Sequence, residues 1–133
     1  MPATIVKRSD LPVIVITMES GSNVLQDISF NLSEVTRLVA SQPERVFLII
    51  ETQRISIRVD EISAAASLVG GHRDALLHHP NIRETLVVST SIVMKMSMGI
   101  LNGPLFGGMK MSLYSSLEEA LAYCQMSLER TSV

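Results

Sequence analysis

The chain ends in a strand pattern that runs straight into a capped amphipathic helix, and this unit restricts the folds open to it more than any other feature. Gly107-Gly108-Met109-Lys110-Met111-Ser112-Leu113-Tyr114 reads as the strand, and Ser115-Ser116-Leu117-Glu118-Glu119-Ala120-Leu121-Ala122-Tyr123-Cys124 opens the helix. Ser115 and Ser116 each have a glutamate three residues later, Glu118 and Glu119. Either pair fits a capping box, in which hydroxyl and carboxylate satisfy the free N–H groups of the first turn. Leu117, Ala120, Leu121, Cys124 and Leu128 then recur at helical spacing and form one apolar stripe. A strand feeding such a helix is half of an α/β layer.

The rest of the chain repeats this alternation. Thr4-Ile5-Val6-Lys7 and Pro12-Val13-Ile14-Val15-Ile16-Thr17-Met18 are β-branched runs separated by Arg8-Ser9-Asp10, the pattern of a hairpin. The second run is apolar on both faces, as a strand covered on each side must be. After Gly21-Ser22-Asn23, Asn31 is placed to cap a helix with Glu34 at its third position, burying Leu32, Val35, Leu38 and Val39. Pro43 closes that element. Arg45 to Thr52 is the strongest strand signal, and Asp60 is placed to cap a helix carrying Ile62, Ala65, Leu68 and Val69 as far as Gly70-Gly71. A further helical turn is expected between His72 and His79, before Pro80. Ile82 to Ser89 reads as another strand and Ser91 to Leu101 as a helix apolar almost all round, stopped by Asn102-Gly103-Pro104. The order is ββαβαβαβα. It predicts one α/β domain over residues 1–133, a single mixed, mostly parallel sheet of about four or five strands with about four helices packed on it.

Composition narrows the functional classes. Across 133 residues, 47% are hydrophobic and 18% charged, which favours a packed core over disorder. A net charge of −2 gives no electrostatic reason to expect nucleic acid or an anionic membrane as partner. No apolar run approaches the length needed to span a bilayer, and the stretch after Lys7-Arg8 is too short for a signal peptide. Cys124 is the single cysteine, so no internal disulfide forms, and a reducing, cytoplasmic location is expected.

Candidate chemistry is sparse. His72, His78 and His79 lack a third ligand at metal-binding spacing, so a solvated surface is expected there rather than a metal site. Cys124 lies on an apolar stripe, and Glu118 and Glu119 are better explained by capping than by acid–base chemistry. Gly103-Pro104-Leu105-Phe106-Gly107-Gly108 follows a helix and precedes a strand, the reverse of a phosphate loop. No catalytic residue, cofactor or metal is expected. Met94, Met96, Met98, Met109 and Met111 gather around the third helix and last strand, where they either fill a core or line an adaptable apolar surface. A helix apolar all round must hide its outer side, so Met94, Met98, Ile100, Leu101, Phe106 and Met109 are the candidate surface for a homodimer or a lipid-like ligand.

The element order, together with Leu11-Pro12-Val13-Ile14-Val15-Ile16-Thr17, Val46-Phe47-Leu48-Ile49-Ile50-Glu51 and the ending Met111 to Tyr123, resembles the STAS superfamily in its SpoIIAA-like branch of small stand-alone bacterial domains. The resemblance implies a non-catalytic regulatory domain that docks a protein partner near the start of the helix after the central strand. Here that region holds Ser56, Arg58, Asp60 and Glu61. The family's phosphorylatable Asp-Ser-Ser/Thr-Gly turn is absent, and the best register puts Asp60 at or next to the phosphoacceptor position. Asp60 and Glu61 read either as ordinary first-turn carboxylates or as a fixed negative charge in place of a phosphoserine. The competing expectation is a carrier or sensor of a small apolar molecule.

Overall fold

β-branched runs become strands and stripe-bearing segments become helices. The structure, a computed structural model, describes residues 3–19, 24–71, 75–103 and 111–131. The elements are β1 (Ala3–Lys7), β2 (Val13–Met18), α1 (Val24–Ala40), β3 (Val46–Glu51), α2 (Val59–Gly70), a 3-10 turn (Leu76–His78), β4 (Ile82–Val88), α3 (Ile92–Leu101), β5 (Met111–Tyr114) and α4 (Leu117–Thr131). The five strands form one sheet in the order β1-β2-β3-β4-β5. β1 and β2 are antiparallel, with Ile5 opposite Ile16, and every later neighbour is parallel.

This topology distributes the helices unequally. α1, α2 and α3 each join a strand to its next parallel neighbour, always stepping in the same direction across the sheet. Right-handed crossovers then put all three on one face. There Ile14, Ile16, Met18 and Leu48 pack against Val35 and Val39 of α1. Further along the same face, Val87 meets Ile62 and Ala66 of α2 and Met94 and Leu101 of α3. Among the described helices α4 alone covers the opposite face, where Ala120 and Cys124 sit on Val13, Val15, Phe47, Ile49, Leu86 and Val88. β2 and β3 are therefore buried from both sides, which is why their sequences are apolar without alternation.

A bulge decides which face two charged residues occupy. Val46 pairs with Ile82 but Phe47 pairs with Glu84, leaving Arg83 as an extra residue. Two residues opposing one reverse the side-chain alternation of the strand. Ile82 thus joins the α1 face, while Glu84 turns to the α4 face. Tyr123 of α4 donates its hydroxyl to the Glu84 carboxylate at 2.6 and 2.8 Å. Its ring meets Phe47 edge-on at 6.2 Å, and the Arg83 guanidinium lies 5.2 Å from the Phe47 ring centre.

The helix ends differ from the sequence expectation at α1 and α2, and at α4 the structure chooses between the two serines offered. α1 begins at Val24, so Asn31 is inside the helix and not its cap. Its amide donates to Asp27 O at 2.8 Å, the backbone bond of a mid-helix Asn, and Glu34 pairs with Arg37 at 2.6 Å. In α2 the N-cap position is Arg58 rather than Asp60, and the Glu61 carboxylate reaches back to accept the Arg58 N–H at 3.0 Å. At α4, Ser116 is the hydroxyl that caps, accepting from Glu119 N at 3.1 Å. Glu119 returns the bond one residue early, to Ser115 N at 3.2 Å and Ser115 Oγ at 2.9 Å. Ser91 caps α3 by accepting from Met94 N. α2 stops at Gly71, where a Cβ would stand 2.4 Å from Ser67 O.

Candidate functional site

The carboxyl ends of parallel strands are where an open α/β sheet presents its loops, and here the chain builds a polar rim along that edge. β3 runs out into Thr52, which is buried and bound twice to β4. Its N–H donates to Val88 O at 3.0 Å and its hydroxyl to the same oxygen at 2.8 Å. Ile55 and Ile57 then point down into the core while Ser56 and Arg58 point out, a two-residue alternation that carries extended chain to the start of α2.

Neighbouring strands fasten this loop. Gln53 donates to Ser115 O at 2.9 Å, Arg54 pairs with Glu19 at 2.9 Å, and Thr4 donates to Glu19 at 3.1 Å. The Arg58 guanidinium lies 3.2 Å from Asp60 and 3.6 Å from Glu61. Arg58, Asp60 and Glu61 are thus brought together, with exposed Ser56 on the same outward side of the loop. The Arg58–Asp60 pair is open to solvent, so it orients the side chains more than it stabilises the fold. One cation and two carboxylates leave the helix start with a net negative charge, placed where the helix dipole favours it.

The methionine-rich candidates divide instead of forming one surface. Met94 and Leu101 are buried and face inward, while Ile100 stands outside, 63% exposed. Met98 is half-buried; Phe106 and Met109 lie outside the described residues. Met94, Leu101 and Met111, with Ile50, Ile57, Ile62, Ala66 and Val87, line an apolar pocket of about 80 Å³ between α2, α3 and the sheet, partly open to solvent. A second cavity of about 50 Å³ lies under α1 and shares Ile50, Val69 and Leu77 with the first. An apolar cavity of about 150 Å³ is the size that holds one benzene ring. As built, neither space admits an acyl chain.

The titratable groups with the largest shifts lie away from this rim, on α4. A hydrogen bond to Glu84, reinforced by burial, pushes the Tyr123 phenol up to about 12. Burial pushes the Cys124 thiol up to about 12, so it is a thiol and not a thiolate nucleophile. His78 and His79 are half-buried and each bonds the backbone. His78 Nε2 lies 2.9 Å from Gly70 O, a bond the ring must donate, and His79 Nδ1 accepts from Asn81 N at 3.0 Å. His72 lies outside the described residues. Among the described residues no group of three His, Cys, Asp or Glu side chains converges on a metal position, and no helix is long and apolar enough to cross a membrane.

Sequence reasoning missed the rim ties and the Glu84–Tyr123 pair. A glutamate and a threonine inside the apolar run of β4 were the available signal, since a polar residue in a buried strand needs a partner.

A crystal structure of an uncharacterized protein from the DUF3478 family, with a SpoIIAA-like fold, from Shewanella loihica PV-4, superposes on this chain with a TM-score of 0.56. The match covers 92% of this chain and 91% of that one. The chain has the SpoIIAA-like fold. At 8% identity the likeness extends to the fold alone. No family model matches the sequence, and neither does any curated protein. Within the SpoIIAA-like fold, the polar rim and the start of α2 occupy the edge at which β2, β3, β4 and β5 all end.

Proposed function

We propose that this chain is a non-catalytic regulatory domain that docks a protein partner on the rim formed by Ser56, Arg58, Asp60 and Glu61, and that it pairs with a second copy of itself. The observation that carries the docking reading is the fastened loop from Thr52 to Arg58. It holds exposed, charged side chains in one arrangement through bonds to three neighbouring strands. A preorganised polar edge loses little entropy on binding. Phosphorylation is not the switch in this reading, because no hydroxyl occupies the Asp60 position; the permanent negative charge there keeps the surface in one state.

A photo-crosslinker at Ser56, introduced in the source cell, tests the docking. One discrete adduct that disappears when Arg58→Glu is added supports the reading. Equal labelling from a crosslinker at Gln125 on α4, or no adduct at Ser56, refutes it.

The cavity beside Met94 and Met111 favours a second reading, a sensor of a small apolar molecule. In that reading the pocket holds only part of the molecule, since its volume is smaller than a benzene site. Native mass spectrometry of the freshly purified protein distinguishes the two: a retained apolar mass supports the sensor, and bare protein removes it.

A further inference from the structure

Asp27 sits in the first turn of α1 with one carboxylate oxygen, Oδ2, buried and without a hydrogen-bond partner among the described residues. No other buried side-chain polar atom among those residues is left unpaired. A first-turn carboxylate suits the helix dipole, but one that served only the dipole would turn to solvent or accept a first-turn N–H. Buried acceptors are almost always bonded, so this oxygen calls for a donor that the described residues do not supply. Its place in the fold says where that donor enters. Asp27 stands on the wall of the apolar pocket of about 50 Å³ under α1, among Ile28, Leu32, Leu48 and Leu76.

The one other polar residue on that wall is Asn31, a helical turn further along the same face. Its Nδ2 is committed to the Asp27 carbonyl at 2.8 Å, so Oδ1 is the atom it has left to offer, and that too is an acceptor. Two acceptors, one of them charged, select a cationic donor and repel an anion. The rest of the wall is apolar and selects an alkyl body. Ile50, Val69 and Leu77 line both this pocket and the one beside Met94, so a chain lying along them runs from one space toward the other. Neither pocket, nor the two joined, reaches the roughly 150 Å³ of a benzene site, which limits the body to a short chain. We infer that the space under α1 binds a short-chain primary amine, its ammonium on Asp27 Oδ2 and its chain along Ile50. This rests on the apolar-molecule reading above and gives that molecule a head group. A fatty acid is disfavoured by the same carboxylate.

Methyl NMR of the full chain at neutral pH tests the site, with n-butylamine titrated to about 20 mM and n-butanol and butyrate as comparisons. The amine is expected to shift the Ile28, Leu32 and Leu77 methyls saturably. The alcohol should shift the same methyls more weakly, and butyrate should leave them unmoved. Asp27→Asn keeps the shape of the side chain and removes its charge, so it should weaken the amine at least about tenfold and leave the alcohol unchanged. Glu34→Gln, which removes a charge from the exposed side of α1, should leave both affinities as they are. The ranking of amine over alcohol over acid in the wild type stands as a test even where Asp27→Asn fails to fold. An alcohol or acid that matches the amine, or an amine insensitive to Asp27→Asn, overturns the head group at Asp27 while leaving the apolar-molecule reading standing. No saturable shift of these methyls by any of the three compounds overturns both.

Discussion

Val87→Ile is expected to stabilise the protein, because it adds a methylene to a space that is already empty. Val87 is 3% exposed and its side chain borders the cavity of about 80 Å³ beneath α2 and α3. One further methylene removed from water is worth about 0.8 kcal/mol, so the variant recovers roughly 1 kcal/mol if the new methyl points into the gap. For a chain of this length that raises the melting temperature by about 3 °C. The control is the next residue. Val88 is fully buried on the opposite face, packed among Phe47, Ile49, Ala120 and Cys124. Val88→Ile should overpack that face and cost about 1–3 kcal/mol. Urea denaturation of the three proteins gives both values from the midpoints, provided the slope is unchanged. A destabilised Val87→Ile, or two variants of the same sign, would show that the sheet faces are not packed as unequally as the structure has them.

Alkaline pH should destabilise the fold earlier than carboxylate or amine titration explains. Tyr123 and Cys124 rise from ordinary values of 10.0 and 9.0 to about 12 in the folded chain. Below about pH 8 both states hold these protons and nothing changes. Between 9 and 12 the unfolded chain releases them first, so stability falls with rising pH. The urea midpoint should drop between pH 8 and 11, with a shallower drop for Tyr123→Phe; equal slopes would refute the role of the Glu84 bond. In native protein Cys124 should resist a thiol-specific disulfide reagent and react at the rate of global unfolding, so prompt labelling would show that α4 opens locally. At the start of α2, Glu61→Ala should cost about 1 kcal/mol by freeing the Arg58 N–H. Asp60→Ser should stay within about 0.5 kcal/mol, and the reverse ranking would make Asp60 the cap.

Element types were readable almost throughout because periodicity reports which sides of a segment are buried. Val46 to Glu51 could hardly be other than a central strand, and the stripe Val35, Val39 held although its helix begins seven residues before Asn31. The start of that helix was misread since Asn is as suited to an N-cap as to bonding the preceding turn, and the choice depends on how far the apolar pattern of Leu25 and Ile28 extends. The same ambiguity affected Asp60 and Glu61. Either carboxylate can serve a helix start, and the φ/ψ of Arg58 settles the register. The candidate surface on α3 was harder still, for a helix apolar all round does not declare which residues face in. Met94 and Leu101 proved to be core and Ile100 surface.

Sequence patterning was enough for an α/β sheet built in ββαβαβαβα order, with a serine-capped start at α4, since each of these follows from contacts within about four residues. The distribution of helices over the two faces follows instead from strand order. Three crossovers that step the same way must share a face, and that leaves α4 alone on the other. The bulge at Arg83 likewise depends on pairing between β3 and β4, and with it the position of Glu84 opposite Tyr123. The pocket beside Met94 and the ties that hold the loop before α2 join residues distant in sequence. Such contacts arise when elements pack, and no local spacing encodes them.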